Sequence, residues 1–292
     1  MLTIKNLKVK IKNKSILNGV NLKIGKGQTH VVMGPNGSGK STLAQTLFSH
    51  PTYTITQGKI IFNGKNITGI STDKIAKLGM LMAFQYPQTV PGVSVTNLLK
   101  IASRNRNRAI LPERSPGAKA NPQKAKKVYP EQGGGELKIS AFAEMVKKQA
   151  LAMQLPEEFL TRSLNEGFSG GEKKKAEVLQ LAVLRPKLAV FDETDSGLDV
   201  DALRIVAKQI NVLKKQGTSI LLITHYQRIL KYVKPDFVHV MKAGRIVQSG
   251  DKDLAERIEK EGYSNLANLP LPKAWARFAL AKARRGGTKG EV

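Results

Sequence analysis

The residues best equipped to do chemistry fall in two places. Gly34-Pro35-Asn36-Gly37-Ser38-Gly39-Lys40-Ser41, with Thr42 following, sets glycines and one lysine at the spacing of a phosphate-binding loop. Glycines let the chain bend until successive N–H groups point inward at phosphate oxygens, and a helix N-terminus behind them favours the same anion. Lys40 would reach the outer phosphates of a nucleoside triphosphate, and the Ser41 hydroxyl would ligate magnesium. The second place is Leu188-Ala189-Val190-Phe191-Asp192-Glu193. Asp192, at the tip of an apolar strand, can hold magnesium directly or through water, and Glu193 can polarise an attacking water as general base. An Asp-Glu pair after an apolar run is commonplace; a phosphate loop upstream makes it the other half of a triphosphate-hydrolysing site.

A third group is Phe168-Ser169-Gly170-Gly171-Glu172, where a helix opens with a hydroxyl and bare backbone N–H groups, an anion-receiving arrangement most phosphate-loop enzymes lack. Elements must hold these residues together. Alternating or apolar runs predict strands over residues 3–11, 20–24, 28–33, 58–62, 79–84, 188–191, 219–223, 237–241 and 245–248. Helices are predicted from about Lys40, and over 93–103, 139–153, 170–184, 199–214 and 251–261. Strands alternating with helices argue for an α/β fold with a mainly parallel sheet. Residues 104–138 are rich in Pro, Gly, Arg and Lys without apolar periodicity, and read as a solvated, mobile insertion.

The 292-residue chain has no cysteine, which excludes a disulfide framework and a thiolate-held zinc or iron–sulfur cluster. His30, His50, His225 and His239 do not show metal-ligand spacing. The formal net charge is +26, with +6 in residues 104–138 and +5 in 273–292. Such a charge attracts nucleic acid, acidic proteins or anionic membranes without specifying a fold. No apolar run approaches the roughly 18–20 residues of a membrane span, and residues 1–14 lack the form of a signal peptide. A cytoplasmic protein without an integral membrane segment is expected.

The three groups together resemble the nucleotide-binding domains of ABC proteins, over about residues 2–262. The likeness includes Gln85 after Met82-Ala83-Phe84, Ser196-Gly197-Leu198-Asp199 after the Asp-Glu pair, and His225 after the last central strand. It implies a phosphate-loop core, an N-terminal antiparallel β subdomain and a helical subdomain over about 86–170, in one domain of residues 1–263 followed by a basic extension of 264–292. It implies ATP and Mg2+ as ligands and a transient, ATP-dependent dimer in which two copies close head to tail. Pro35, Asn36 and the other loop residues would cradle the phosphates of one nucleotide, and Ser169, Gly170 and Gly171 would contact the γ-phosphate held by the other copy. Gln85 would sense magnesium and the attacking water; His225 would contact the γ-phosphate and support Glu193. The family often stacks adenine on an aromatic near the end of the first strand, but here Val9-Lys10-Ile11-Lys12 offers only Ile11.

Narrower stretches look like the ATPase subunit of the SUF iron–sulfur cluster assembly system. They include His50-Pro51-Thr52-Tyr53, Ala83-Phe84-Gln85-Tyr86-Pro87 and Pro91-Gly92-Val93. Thr194-Asp195 stands where transporter ATPases more often carry Pro and Ala or Thr, and Tyr226-Gln227-Arg228 follows the histidine. That resemblance implies a hetero-complex with SUF-type scaffold proteins, docked around residues 86–93. A membrane-transporter ATPase subunit is the alternative. In the tail, Trp275, Phe278 and Leu280 among basic residues would suit RNA, lipid, an acidic scaffold face or its own domain. Few aromatics accompany the charges, so a dedicated nucleic-acid surface is not expected.

Overall fold

The computed structural model describes residues 1–110, 139–224 and 228–263. Most of the basic segment 104–138, His225 with Tyr226 and Gln227, and the extension 264–292 therefore lie outside the described residues.

Three strands have no polar face. β3 (Thr29–Met33), β9 (Leu188–Asp192) and β10 (Ser219–Ile223) are buried at every position, as strands covered on both sides must be. With β6 (Met80–Ala83), β11 (Phe237–Lys242) and β12 (Arg245–Gly250) they form a six-stranded sheet in the order β12-β11-β3-β10-β9-β6. All neighbours run parallel except β11 and β12, a hairpin turning at Ala243-Gly244. The period-2 alternation of side chains splits the core in two. Val31, Ala189, Phe191, Ile220 and Leu222 face one side, and Val32, Leu188, Val190, Leu221 and Ile223 the other.

The first side is covered by helices: α3 (Val95–Ile110), α4 (Ile139–Ala152), α5 (Gly170–Leu184) and α6 (Val200–Lys215). Asp199 caps α6 by accepting the Ala202 N–H at 2.7 Å, and Lys214 in its last turn pairs with Asp236 at 2.9 Å. The second side is covered by α1 (Lys40–Leu47) and a four-stranded antiparallel sheet, order β2-β1-β4-β5, made of β1 (Leu2–Ile11), β2 (Lys14–Ile24), β4 (Thr54–Phe62) and β5 (Lys65–Asn66). Along β1, Leu2, Ile4, Leu7 and Val9 are buried while Lys5, Lys8 and Lys10 are exposed. Lys5 sits directly opposite Lys59 of β4, and no acidic residue precedes Asp73 in the chain, so this outer face is uniformly basic.

Three differences from the sequence reading stand out. β2 begins at Lys14, not near residue 20, because pairing with β1 organises a polar stretch that has little strand pattern of its own. α2 (Thr72–Leu78) is an added short helix, held by Ser71 before it and Gly79 after it. α3 runs to Ile110, so residues 104–110, expected to open a solvated insertion, are helical instead. No proline or glycine interrupts the chain between Gly92 and Pro112, so no breaker stops the helix before that proline. A two-stranded ribbon of β7 (Val90–Ser94) and β8 (Ser163–Leu164) completes this side, and α7 (Lys252–Glu261) is the last element among the described residues.

Candidate nucleotide site

The C-terminal ends of β3, β9 and β6 open side by side, the place where parallel α/β sheets bind ligands. The phosphate loop follows β3 and enters α1. Gly34 needs its hydrogen side chain, because a Cβ there would meet the Met241 carbonyl at 2.1 Å. Gly39 caps α1 in the left-handed region (φ 104°). The Lys40 ammonium is buried and donates to the carbonyls of Gly34 (2.8 Å) and Pro35 (3.1 Å), spanning its own loop. Burial lowers its pKa, offset by the carboxylates of Glu193 and Asp192. The Ser38 hydroxyl is buried without a partner in the same loop, whereas Asn36 and Gly37 are exposed at its rim.

Ser41 and Asp192, each read as a magnesium ligand, lie side by side: the Ser41 hydroxyl donates to Asp192 Oδ1 at 3.0 Å. The other carboxylate oxygen, Oδ2, is buried with no partner. Burial pushes Asp192 up to about 6, the Ser41 bond opposing it and the Glu193 charge adding to it. A hydroxyl and an orphaned carboxylate oxygen beside a phosphate loop are the hard oxygen donors a magnesium ion takes, so the residues present fit that ion.

Glu193 sits at φ 46°, a sparsely populated conformation for a side-chain-bearing residue and one that concentrates at functional sites. Its N–H donates to the Ile223 carbonyl at 2.9 Å, and its Oε2 accepts Gln85 Nε2 at 2.6 Å. Gln85, Glu193, Lys40, Ser41 and Thr42 line one cleft of about 740 Å³ that reaches Ser196. The cleft's outer end is walled by Lys14, Ser15, Ile16, Asn18 and the Ala243-Gly244 turn. The apolar side chain there is thus Ile16, not Ile11: β2 forms the wall, and sequence reasoning could not know which strand of the hairpin would do so. A separate groove of about 520 Å³ beside His50 and Tyr53 carries no lysine or arginine side chain to hold a triphosphate.

Ser169, Gly170 and Gly171 open α5 on the surface. Ser169 Oγ accepts the Glu172 N–H at 3.3 Å, and Glu172 accepts the Ser169 N–H at 2.7 Å, a reciprocal cap. The backbone N–H of Ser169 and then its hydroxyl, both directed at the carboxylate, hold Glu172 below the usual carboxylate range. Neither glycine is required by its own chain. A Cβ on Gly170 would meet nothing within 4 Å and one on Gly171 only Leu198 at 3.9 Å.

Sequence reasoning missed three buried residues around this site. Lys174 donates to the carbonyls of Glu193 (3.1 Å) and Ser196. Glu177 accepts the Phe84 N–H. Asp195, noted only as a sequence marker, accepts the hydroxyl of Thr224, the residue before His225 in the chain, at 2.7 Å. The available signal was charge at helix and loop positions that otherwise bury apolar side chains.

Fold and site define a phosphate-loop ATPase of the ABC class. A family described as ABC transporter matches residues 17–196, and the chain belongs to that family of ATP-binding, ATP-hydrolysing proteins. Within it, the chain is 44% identical to "Probable ATP-dependent transporter ycf16" of Cyanophora paradoxa over 94% of this chain and 97% of that one. It is 43% identical to "Probable ATP-dependent transporter SufC" of Escherichia coli (strain K12), over 90% and 97%. Among solved structures, the ADP conformation of an ATP-binding cassette of an ABC transporter is similar at 26% identity and TM-score 0.65, covering 90% of this chain and 95% of that one. A bacterial ABC transporter cassette solved as a dimer shares the fold at 17% identity and TM-score 0.65, covering 86% and 98%. Among the described residues no helix is long and apolar enough to cross a membrane.

Proposed function

We propose that this ATPase is the ATP-hydrolysing subunit of an iron–sulfur cluster assembly scaffold complex, and that ATP-dependent head-to-tail closure of two copies rearranges the scaffold. The observation that carries it is a surface loop wired to both halves of the site. Phe84, Tyr86 and Val90 are exposed, Tyr86 by 75%, on the stretch leading from β6 to β7. Asn165 Nδ2 donates to the Gln88 carbonyl at 2.8 Å, the Thr89 hydroxyl donates to the Asn165 carbonyl at 3.3 Å, and β7 pairs with β8. A partner seated on Tyr86 and Val93 would pull on Gln85 at one end and on Ser169 at the other. The SufC-named relative supports reading that partner as a cluster scaffold.

In this reading Lys40 releases the carbonyls of its own loop to hold the outer phosphates. Ser41 and Asp192, with Gln85, would hold Mg2+, which would supply positive charge against that building on the phosphates. Glu193, held by Gln85, takes the proton of the attacking water, and His225 supports it. Ser169, Gly170 and Gly171 give their hydroxyl and N–H groups to the nucleotide of the other copy. That role supplies the reason for glycine at two positions where this chain's own sterics impose none. Residues 1–263 act as one unit, with 264–292 as a basic extension.

Tyr86→Glu with Val93→Glu is expected to abolish co-purification with soluble scaffold proteins while ATP binding persists; undiminished co-purification rejects the docking surface. The "transporter" in the relatives' names makes a membrane-transporter subunit the second reading. Recovery with integral membrane proteins in the same experiment would favour it.

A further inference from the structure

Glu177 stands in the third turn of α5, 7% exposed, among Ala176, Val178, Leu179 and Leu181, all buried. A carboxyl group there is costly, and burial pushes it up to about 7. Its bonds show what it does. Oε1 accepts Gln180 Nε2 at 3.0 Å, and Oε2 accepts the backbone N–H of Phe84 at 3.2 Å. The β6–β9 ladder ends one residue earlier, at Ala83 opposite Phe191, so the Phe84 amide needs another acceptor. The next residue is Gln85, whose side chain reaches Glu193 at 2.6 Å. Three residues before Glu177, on the same face of the helix, Lys174 holds the Glu193 carbonyl at 3.1 Å. One rigid helix therefore grips both ends of the Gln85–Glu193 contact, and its N-terminus is Ser169.

We propose that Glu177 is a positioning residue for ATP hydrolysis: it fixes the Phe84 backbone so that Gln85 holds Glu193, and ties that contact to the helix that carries Ser169. The proposal rests on the reading of Gln85 and Glu193 as hydrolytic machinery.

The test is steady-state ATP hydrolysis by the full chain carrying Glu177→Leu, which removes the acceptor, or Glu177→Gln, which keeps a carbonyl oxygen in its place. Glu177→Leu is expected to lower kcat by about ten- to a hundredfold with KM for ATP within about twofold, as for misplaced catalytic groups. Glu177→Gln is expected within about twofold of the native chain. A native kcat in Glu177→Leu overturns the proposal, as does a rise in KM matching the loss of kcat, or a Gln variant as slow as the Leu one. Glu193→Gln run alongside separates the two levels: unimpaired turnover there removes the underlying reading itself. Should Glu177→Leu not fold, Phe84→Pro, which deletes the donor and leaves Glu177 in place, decides by the same kcat-against-KM criterion.

Discussion

Glu193 is held from three directions: its N–H by the Ile223 carbonyl, its carboxylate by Gln85, and its carbonyl by Lys174. Its backbone stays in a strained φ because those bonds over-determine it. The side chain can therefore be changed without losing the loop. Glu193→Gln is expected to retain ATP binding and slow hydrolysis by about 10²–10⁴, the usual worth of a general base; nucleotide titration and turnover measured on one preparation check both halves. Residue identities at the phosphate loop, at Asp192-Glu193 and at Ser169 to Gly171 were legible in the sequence, because backbone-cradle and metal chemistry restrict which residues serve at each spacing. Lys174, Glu177 and Asp195 were not, since a charged residue in a helix or loop ordinarily faces water.

Two elements carry their own tests. The cap of α5 and its exposed hydroxyl are separable functions of Ser169. An aspartate caps a helix as well as serine does, but puts a negative charge where a phosphate would arrive. Ser169→Asp is expected to melt within a few degrees of the native chain and to lose ATP hydrolysis. Ser169→Ala is expected to lose hydrolysis and also about 1 kcal/mol of stability. Thermal melts with turnover distinguish the two, and an active Ser169→Asp chain contradicts the phosphate contact.

Between β3 and β11, His30 Nδ1 and His239 Nε2 lie 2.9 Å apart, flanked by Gln28 and Ser249. Gln28 Oε1 also accepts the Gly25 N–H, so His30 Nε2 donates to it, His239 donates to His30, and Ser249 donates to His239. Both rings are neutral. Burial lowers His30 to about 4, against the pull of Asp236, and lowers His239 to about 3, with the neighbouring His30 charge adding to the effect. A histidine lowered on folding stabilises fully above its unfolded value of 6.5, and that share is lost as pH falls toward the folded value. Buried Glu177 and Asp192, raised to about 7 and about 6, act in the opposite sense. The difference between chains therefore carries the test: His239→Gln is expected to lose less stability than the native chain between pH 6.5 and pH 4, followed by melting temperature. Parallel pH profiles count against the assignment.

For the whole molecule, the decisive question is whether one copy is enough. Ser169 to Gly171 lie on the surface, while the cleft of Lys40 and Glu193 is walled by other residues of the same chain, Gln85 and Ser196 among them. If each site is shared, mixing Ser169→Arg chains with Lys40→Ala chains is expected to restore at most one working site per pair. Each variant alone is expected to be inactive, and turnover against mixing ratio reads this out. Two working sites per pair would rule out the head-to-tail arrangement.

Much of this protein was decided by sequence alone. Buried parallel strands require unbroken apolar runs, so β3, β9, β10 and the alternation of strands with helices could be read directly, and α5 and β10 fall at the predicted bounds. The phosphate loop and the Asp-Glu pair could be read because their chemistry depends on local spacing. Tertiary structure decided the rest, for one physical reason: a contact between residues distant in the chain leaves no periodic trace. The Ser41–Asp192 bond spans 151 residues, the Gln85–Glu193 bond 108 and the Phe84–Glu177 bond 93. The first half of β2 and the identity of Ile16 as the cleft's apolar wall were likewise settled by what packs against them. So was the bond from buried Glu177 to the strand end that carries Gln85.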